Sequence, residues 1–335
     1  MLGLEKMNQL TVCICVYNGE KYITETLESI CSQSFQAFDL LIVNDCSTDN
    51  TLSVINNFFA NHSNINVKVI TLAENGGLAN ARRYAENIVN TEFICFIDAD
   101  DIACPQAIEK MFDVISSQPD CMTVSVYCEY ISPASQKIGG GIFIGPATRE
   151  IFMQKAKDNK LMFIPPFNIS RVEYIRKAGC RAVDGFPAGK PRYQDMCEDL
   201  DLWCRMSDFY KQGKYMLVIP EVLLKYRKFP QSVSANSRAM NWRIRHIKNN
   251  LLLRRSAKPE LSFIDYMEQV TCCQKIRYFF KDLSSDFYKQ AGFCFMQKRY
   301  FSFCFWLLGS AVISPGYVLQ KMYYNVLPCL KSKNR

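Results

Sequence analysis

The sequence predicts an α/β fold, a doubly wound and mostly parallel sheet followed by a helical C-terminal extension, and three observations carry that expectation. Short apolar runs alternate with amphipathic helical patterns through the first hundred residues, the order that builds a parallel sheet. One run, Phe93–Ile97, passes directly into Asp98, Asp100 and Asp101. In an open α/β sheet the carboxyl ends of the strands form the ligand crevice, so these acids stand where a metal-bound phosphate ligand would lie. The basic excess, finally, is confined to the end of the chain: from Arg238 onward 17 Lys and Arg stand against 5 Asp and Glu, whereas the preceding residues hold 23 against 27.

Taken in order, Leu10–Val16 is a continuous apolar run with β-branched residues, closed by Tyr17-Asn18-Gly19, and reads as a buried strand and turn. Ile23, Leu27 and Ile30 keep the spacing of one helical face, which stops near Ser34. Leu40–Asn44 is a second strand; Asp49 suits the N-cap of a helix that turns Leu52, Ile55 and Phe59 inward. Val67–Thr71 repeats the strand pattern, and Asn75-Gly76-Gly77 opens a helix from Leu78 to about Val89. After the acid cluster a helix is expected near Pro105, then a strand at Met122–Tyr130. Gly139-Gly140-Gly141 and Gly145-Pro146 punctuate a short apolar piece, and Ile164-Pro165-Pro166 makes a rigid entry to a helix at Val172–Ala178. Asp184–Tyr193 is a Gly/Pro loop of the length that covers a site. Glu198–Tyr210 reads as a helix with Leu202, Trp203, Met206 and Tyr210 inward, followed by closing strands at Met216–Ile219 and Val222–Tyr226.

Composition sets further bounds. With 335 residues, 49% of them hydrophobic, the chain has ample material for a core. The sixteen cysteines stand largely inside apolar runs, no secretory pattern opens the sequence, and they read as reduced, buried small hydrophobes. With no CxxC pair and two histidines, His62 and His246, a zinc site is disfavoured. No unbroken apolar run reaches the eighteen or so residues of a membrane span; Phe301–Ile313 comes nearest and suits packing on a helix or lying in an interface.

Four motifs, CICVYNGEKYI, VNDCSTDNT, ENGGLANARRYA before the DADD strand, and CEDLDLWCRM, give the chain from about Leu10 to Asn236 a resemblance to the family 2 glycosyltransferases of GT-A fold. That resemblance implies a catalytic domain over residues 1–235, with a nucleotide-binding half (1–130) and an acceptor half (131–235), ahead of a basic, aromatic, helical region at 236–335. It implies inverting transfer of a sugar from a nucleoside-diphosphate donor, a UDP-sugar favoured, to a hydroxyl acceptor, with a divalent metal (Mn or Mg) as cofactor. In it Tyr17 matches the position that packs on the nucleobase, Asp45 the one that bonds a uracil imide, Arg82 an arginine near the nucleotide, and Asp98 the acid near the ribose. Asp100 matches the metal ligand, Asp199 the general base, and Glu198, with Trp203, is placed at acceptor or loop orientation. Asp101 is a candidate for the metal and for capping the next helix, the cap being the preferred reading. Tyr17 and Asp45 also have plain structural readings, as a strand-end aromatic and an Asx-turn residue. One departure stands out: where relatives carry a histidine metal ligand, this chain has Phe229, so the metal would rest on Asp100, the diphosphate and water, with Arg227 or Lys228 as candidate charges for the leaving phosphate.

The acceptor expected is a saccharide or lipid-linked saccharide of a surface-polysaccharide or lipopolysaccharide intermediate. The expected location is cytoplasmic, with peripheral contact at the anionic inner face of the membrane. No nucleic-acid partner is expected. The competing readings are a nucleotidyltransferase, a donor-binding protein without turnover, and a nucleic-acid binder using the basic tail. The first lacks its usual Gly-rich phosphate loop after strand one, and the last shows no recognition motif.

Overall fold

A computed structural model describes residues 8–62, 66–179, 196–229, 237–296, 298–319 and 321. They fall into two compact units, one of residues 1–235 with 247–260, the other of 236–246 with 261–335.

In the first unit the parallel half of the sheet is built as the sequence predicts. β1 (Leu10–Val16), β2 (Phe38–Asn44), β3 (Val67–Thr71) and β4 (Phe93–Asp98) alternate with α1 (Ile23–Cys31), α2 (Thr51–Ala60) and α3 (Leu78–Ile88). β1 and the apolar part of β4 are buried because helices cover the sheet, which is why they read as continuous apolar runs. α1 buries Ile23, Leu27 and Ile30 as its spacing predicts. α2 differs in phase: it buries Thr51, Ile55 and Phe58, leaving Leu52 exposed and Phe59 half-buried. The two apolar sets differ by one position in the turn, and helical periodicity alone does not choose between them. Asp49 acts one residue before the cap position, accepting the Thr51 N–H at 3.0 Å.

The second half of the sheet is mixed. β5 (Ile102–Ala103) precedes α4 (Ala107–Ser117), then come β6 (Cys121–Ile131), β7 (Lys137–Ile142), α5 (Arg149–Lys157), β8 (Asn168–Arg171), α6 (Val172–Ala178), α7 (Glu198–Met206) and β9 (Tyr215–Arg227). Among the described residues nine strands form one sheet, ordered β3-β2-β1-β4-β8-β6-β9-β5, with β7 paired to β6. β8 is antiparallel to both β4 and β6 and joins the two halves. Its four residues, Asn-Ile-Ser-Arg, carry no alternation that the sequence could have shown. The three glycines at 139–141 lie inside β7 instead of breaking it, with Gly139 and Gly140 at positive φ. The two expected closing strands are one bent strand, β9, which runs through Pro220 parallel to β6. α5 is a helix that sequence periodicity missed; Thr148 caps it by accepting the Ile151 N–H at 3.3 Å. The expected helix at 198–210 ends at Met206 and continues as a 3-10 turn, Ser207–Gln212. The Asp184–Tyr193 loop lies outside the described residues.

α8 (Ser237–Arg255) is divided between the units. Its latter half belongs to the first, where Arg254 and Arg255 bond the carboxylate of Asp208 at 2.9 and 2.7 Å. The second unit holds α9 (Phe263–Gln269), α10 (Cys272–Met296) and α11 (Tyr300–Ile313). α10 and α11 pack closely: Ser284 and Ser310 exchange hydrogen bonds, Phe287 meets Trp306 edge-on at 4.8 Å, and a Cβ on Gly309 would lie 2.7 Å from the Phe287 ring. The described cysteines are free thiols. No helix among the described residues is long and apolar enough to cross a membrane.

Candidate active site

Strand register places the candidate residues at one edge of the sheet. Val16 pairs with Asn44 and Cys15 with Asp98, so Tyr17, Asp45 and the acid cluster all leave the carboxyl ends of neighbouring parallel strands. The turn after β1 lies against the acids, since a Cβ on Gly19 would sit 2.6 Å from Val16 and 3.9 Å from Ala99. Tyr17, directly after β1, is 49% exposed.

Short-range bonds then tie the four sequence motifs together. In the first two, Asn18 accepts the Thr48 N–H at 2.8 Å, the Gly19 N–H donates to Thr51 at 2.8 Å, and the Asn50 N–H donates to Glu20 at 2.9 Å. Asp45 joins the second motif to the third, one carboxylate oxygen accepting the Gly76 N–H at 2.8 Å and the other the Gly77 N–H at 2.7 Å. Gly77 sits at φ 89°, a conformation that glycine adopts without strain. Asp45 is buried, and both its oxygens serve the turn that opens α3, a use the sequence did not foretell. Arg82, one turn into α3, joins the third motif to the acids that end β4 and to the fourth motif: its guanidinium forks to Asp98 and to Glu198.

Arg82 therefore does not project toward a ligand; it is 6% exposed and holds two acids of the site in place. Glu198 lies buried in the same triad, at the start of α7. Asp199, the next residue, is half-buried in the first turn of α7, where its carboxylate accepts the Leu200 N–H at 2.7 Å. Trp203 is 3% exposed and packs inward, so its indole belongs to the core beneath α7 and not to an acceptor-facing surface.

Asp101 does not cap α4, whose N-cap is Gln106 without a side-chain bond. One Asp101 oxygen accepts the Arg227 N–H at 2.9 Å, and the other is buried without a hydrogen-bond partner. The chain reverses after β4 toward β9, and that approach, invisible in sequence, recruits the carboxylate. Burial, then the charges of Asp98 and Asp100, pushes the Asp101 carboxyl well up. Burial, then the charge of Asp98, pushes Asp100 up to about 7.

Arg227 is the counterweight. Its side chain is fully buried; Nε donates to the Asp100 carbonyl at 2.7 Å and Nη1 to Ser132, Pro133 and Ser135 at 3.2, 3.2 and 2.9 Å. So committed, it has no reach to a leaving phosphate. Phe229, where the resemblance expects a histidine, packs at a tilt against Tyr22 with ring centroids 5.2 Å apart, and Tyr22 also lies 4.6 Å from the Arg227 guanidinium. Lys228 stands 4.7 Å from the rings of both Tyr130 and Tyr226. Tyr226 is a residue that sequence reasoning passed over: burial raises its phenol pKa, and Asp98, Asp101, Asp100 and Asp199 all act on it in the same direction. One aromatic side chain thus lies within the field of both the acid cluster and the candidate base. Its position beside Arg227 in YRKFP is the only signal the sequence offered.

For a divalent cation the donor set is narrow. Among the described residues no group of three His, Cys, Asp or Glu side chains is arranged to hold a metal. Asp98 is engaged by Arg82 and Asp101 by β9, which leaves Asp100 at the crevice. The acid-rich surroundings fit a cation shared between Asp100 and a ligand's own oxygens, not one caged by protein.

Solved structures share this architecture. Residues 1–349 of Staphylococcus aureus TarS in complex with UDP-GlcNAc superpose with a TM-score of 0.52 at 18% identity, covering 83% of this chain and 80% of that one. The mannosyltransferase PcManGT of Pyrobaculum calidifontis, in complex with GDP-Man and Mn2+, does so at 0.52 and 14% identity, over 91% and 86%. The mixed, mostly parallel α/β sheet with its C-terminal helices is the GT-A architecture. The glycosyl transferase family 2 model matches residues 11–179, and this chain belongs to that family. Among curated relatives, a teichoic acid poly(glycerol phosphate) polymerase of Staphylococcus epidermidis is 43% identical over 102 residues, 30% of this chain and 14% of that protein. A glycosyltransferase of Haemophilus influenzae is 25% identical over 229 residues, 67% of each chain. The poly(ribitol-phosphate) beta-N-acetylglucosaminyltransferase TarS of S. aureus is 39% identical over 98 residues, 28% of this chain and 17% of its own length. The chain thus spans only a small part of two of these three relatives.

Proposed function

We propose that this protein is an inverting glycosyltransferase that moves a sugar from a nucleoside-diphosphate donor, a UDP-sugar in the first instance, to a hydroxyl of a surface-polysaccharide intermediate, free or lipid-linked. The observation that carries the reading is the linkage of four distant motifs, through Asp45 and the Asp98–Arg82–Glu198 triad, around one crevice at the carboxyl edge of the sheet. The family and the TarS relatives support the donor class, and the names of the two wall-polymer relatives support an acceptor of that kind.

In this reading Tyr17 offers its ring to the nucleobase, and Asp45 shapes the turn beside the base through the Gly76 and Gly77 N–H groups. Asp98, oriented by Arg82, meets the ribose. Asp100 would hold a divalent cation, Mn or Mg, jointly with the donor's diphosphate, and such a cation would supply positive charge to the leaving group. Asp199 takes the proton of the acceptor hydroxyl as the new bond forms on the face opposite the departing diphosphate. Glu198 holds the start of α7 against Arg82, so the base keeps its distance from the donor acids.

The test is a panel of nucleotide sugars with Mn or Mg, scored for nucleoside diphosphate release, repeated on Asp199→Asn. Loss of the base lowers turnover by about 10²–10⁴ while donor affinity stays nearly constant. Near-normal turnover of Asp199→Asn with an accepted substrate would place the base elsewhere.

A further inference from the structure

The outer face of α11 carries a stripe of large apolar side chains open to solvent. Phe301, Phe305, Leu308 and Val312 are 90, 63, 66 and 82% exposed, and their spacing of four, three and four residues sets them in a single stripe. The opposite side of the same helix is used, with Trp306, Gly309 and Ser310 against α10. α11 carries no charged residue from Tyr300 to Ile313, so both sides are apolar and only one is covered. The neighbouring helix adds exposed Ile276, Phe279 and Phe280 in its first turns.

Charge says what covers the stripe. Lys298 and Arg299 stand exposed directly before α11 and Lys321 after it, while Lys275, Arg277 and Lys281 are exposed on α10. The acids of this hairpin, Asp282 and Asp286, are engaged by Arg245 and Arg238. What remains toward solvent is a row of large apolar side chains bracketed by cations. A second copy seated on the same stripe would bring those cations against each other in either orientation. At 14 residues α11 is about 21 Å long, too short for a hydrocarbon core of about 30 Å but suited to lie along its boundary.

We propose that the α10–α11 hairpin is a membrane-docking element, with Phe301, Phe305, Leu308 and Val312 seated in the acyl boundary of an anionic bilayer and the flanking Lys and Arg residues on its headgroups. The proposal does not depend on the transferase reading. It would bring this unit of the protein to the surface where a lipid-linked acceptor is found.

Flotation of the full chain with phosphatidylglycerol-containing vesicles, and with phosphatidylcholine alone, tests it. Binding is expected to the anionic vesicles and to fall with added salt. Phe305→Glu/Leu308→Glu lowers the partition coefficient at least about tenfold. Lys275→Glu/Lys281→Glu lowers it by about fivefold per lysine and flattens the salt dependence. Phe301→Gln, at the most exposed position of the stripe, serves as the milder variant should the double glutamate disturb the helices by circular dichroism. Nucleotide binding measured without lipid stays unchanged in all three, which separates failure of this surface from failure of the crevice. Absence of binding to anionic vesicles, binding indifferent to these substitutions, or a stable dimer in solution that the stripe variants dissociate would each overturn the assignment.

Discussion

Arg82 is the residue whose removal the structure makes most consequential. It is 8% exposed at its side chain, and it forks between Glu198, 5% exposed, and Asp98, 25% exposed. Arg82→Met keeps much of the volume but leaves two carboxylates facing each other without the cation that holds them. Breaking a buried pair by removing one partner costs about 3–5 kcal/mol. The lower end applies here, because solvent at Asp98 screens its share. About 3 kcal/mol corresponds to a fall in Tm of about 6–12 °C for a unit of this size. Glu198→Gln added to Arg82→Met returns about 1–2 kcal/mol, since a neutral amide needs no counter-charge. Urea denaturation of the four proteins, wild type, each single variant and the double, gives the coupling directly. Donor affinity of Arg82→Met falls in parallel, because Asp98 loses its orientation. A stability loss under about 1 kcal/mol, or no recovery from Glu198→Gln, would refute the claim that one buried cation organises the site.

One further variant and one pH series probe the same edge of the sheet. Asp45→Asn retains one acceptor where the Gly76 and Gly77 N–H groups require two, so it loses about 1–3 kcal/mol of stability in urea together with affinity for UDP; a stability loss with unchanged UDP affinity would confine Asp45 to the turn. Asp100 is raised from 3.8 to about 7, so between those pH values the metal-free folded protein keeps a proton that the unfolded chain has released, and stability falls as pH rises. A divalent cation competes with that proton, and its stabilising effect in thermal melts should therefore grow from pH 5.5 to 7.5; a pH-independent metal effect would remove Asp100 as the ligand.

The sequence by itself determined the parallel half of the sheet, because a strand covered on both faces must be apolar throughout and its flanking helices must show one apolar stripe. β1, β3 and α6 fall where the residues place them, and three of the four motifs gather at one edge because they follow strands β1, β2 and β3, whereas the fourth opens α7. Only the tertiary structure decided the mixed half. Four-residue β8 is held by its neighbours, not by its own pattern, and β9 runs through a proline that sequence rules read as a break. The same holds for the side chains. Local sequence told which residues carry charge or an aromatic ring, but not which partner the fold would bring to them. Asp101 turned from a helix cap into an acceptor for β9, and Arg227 from a phosphate-facing cation into a buried brace of the acid cluster. Tyr226 entered the site because β9 returns beside the end of β4. These are contacts across more than a hundred residues, set by sheet closure, and a carboxylate's partner at that separation is fixed only when the chain has folded.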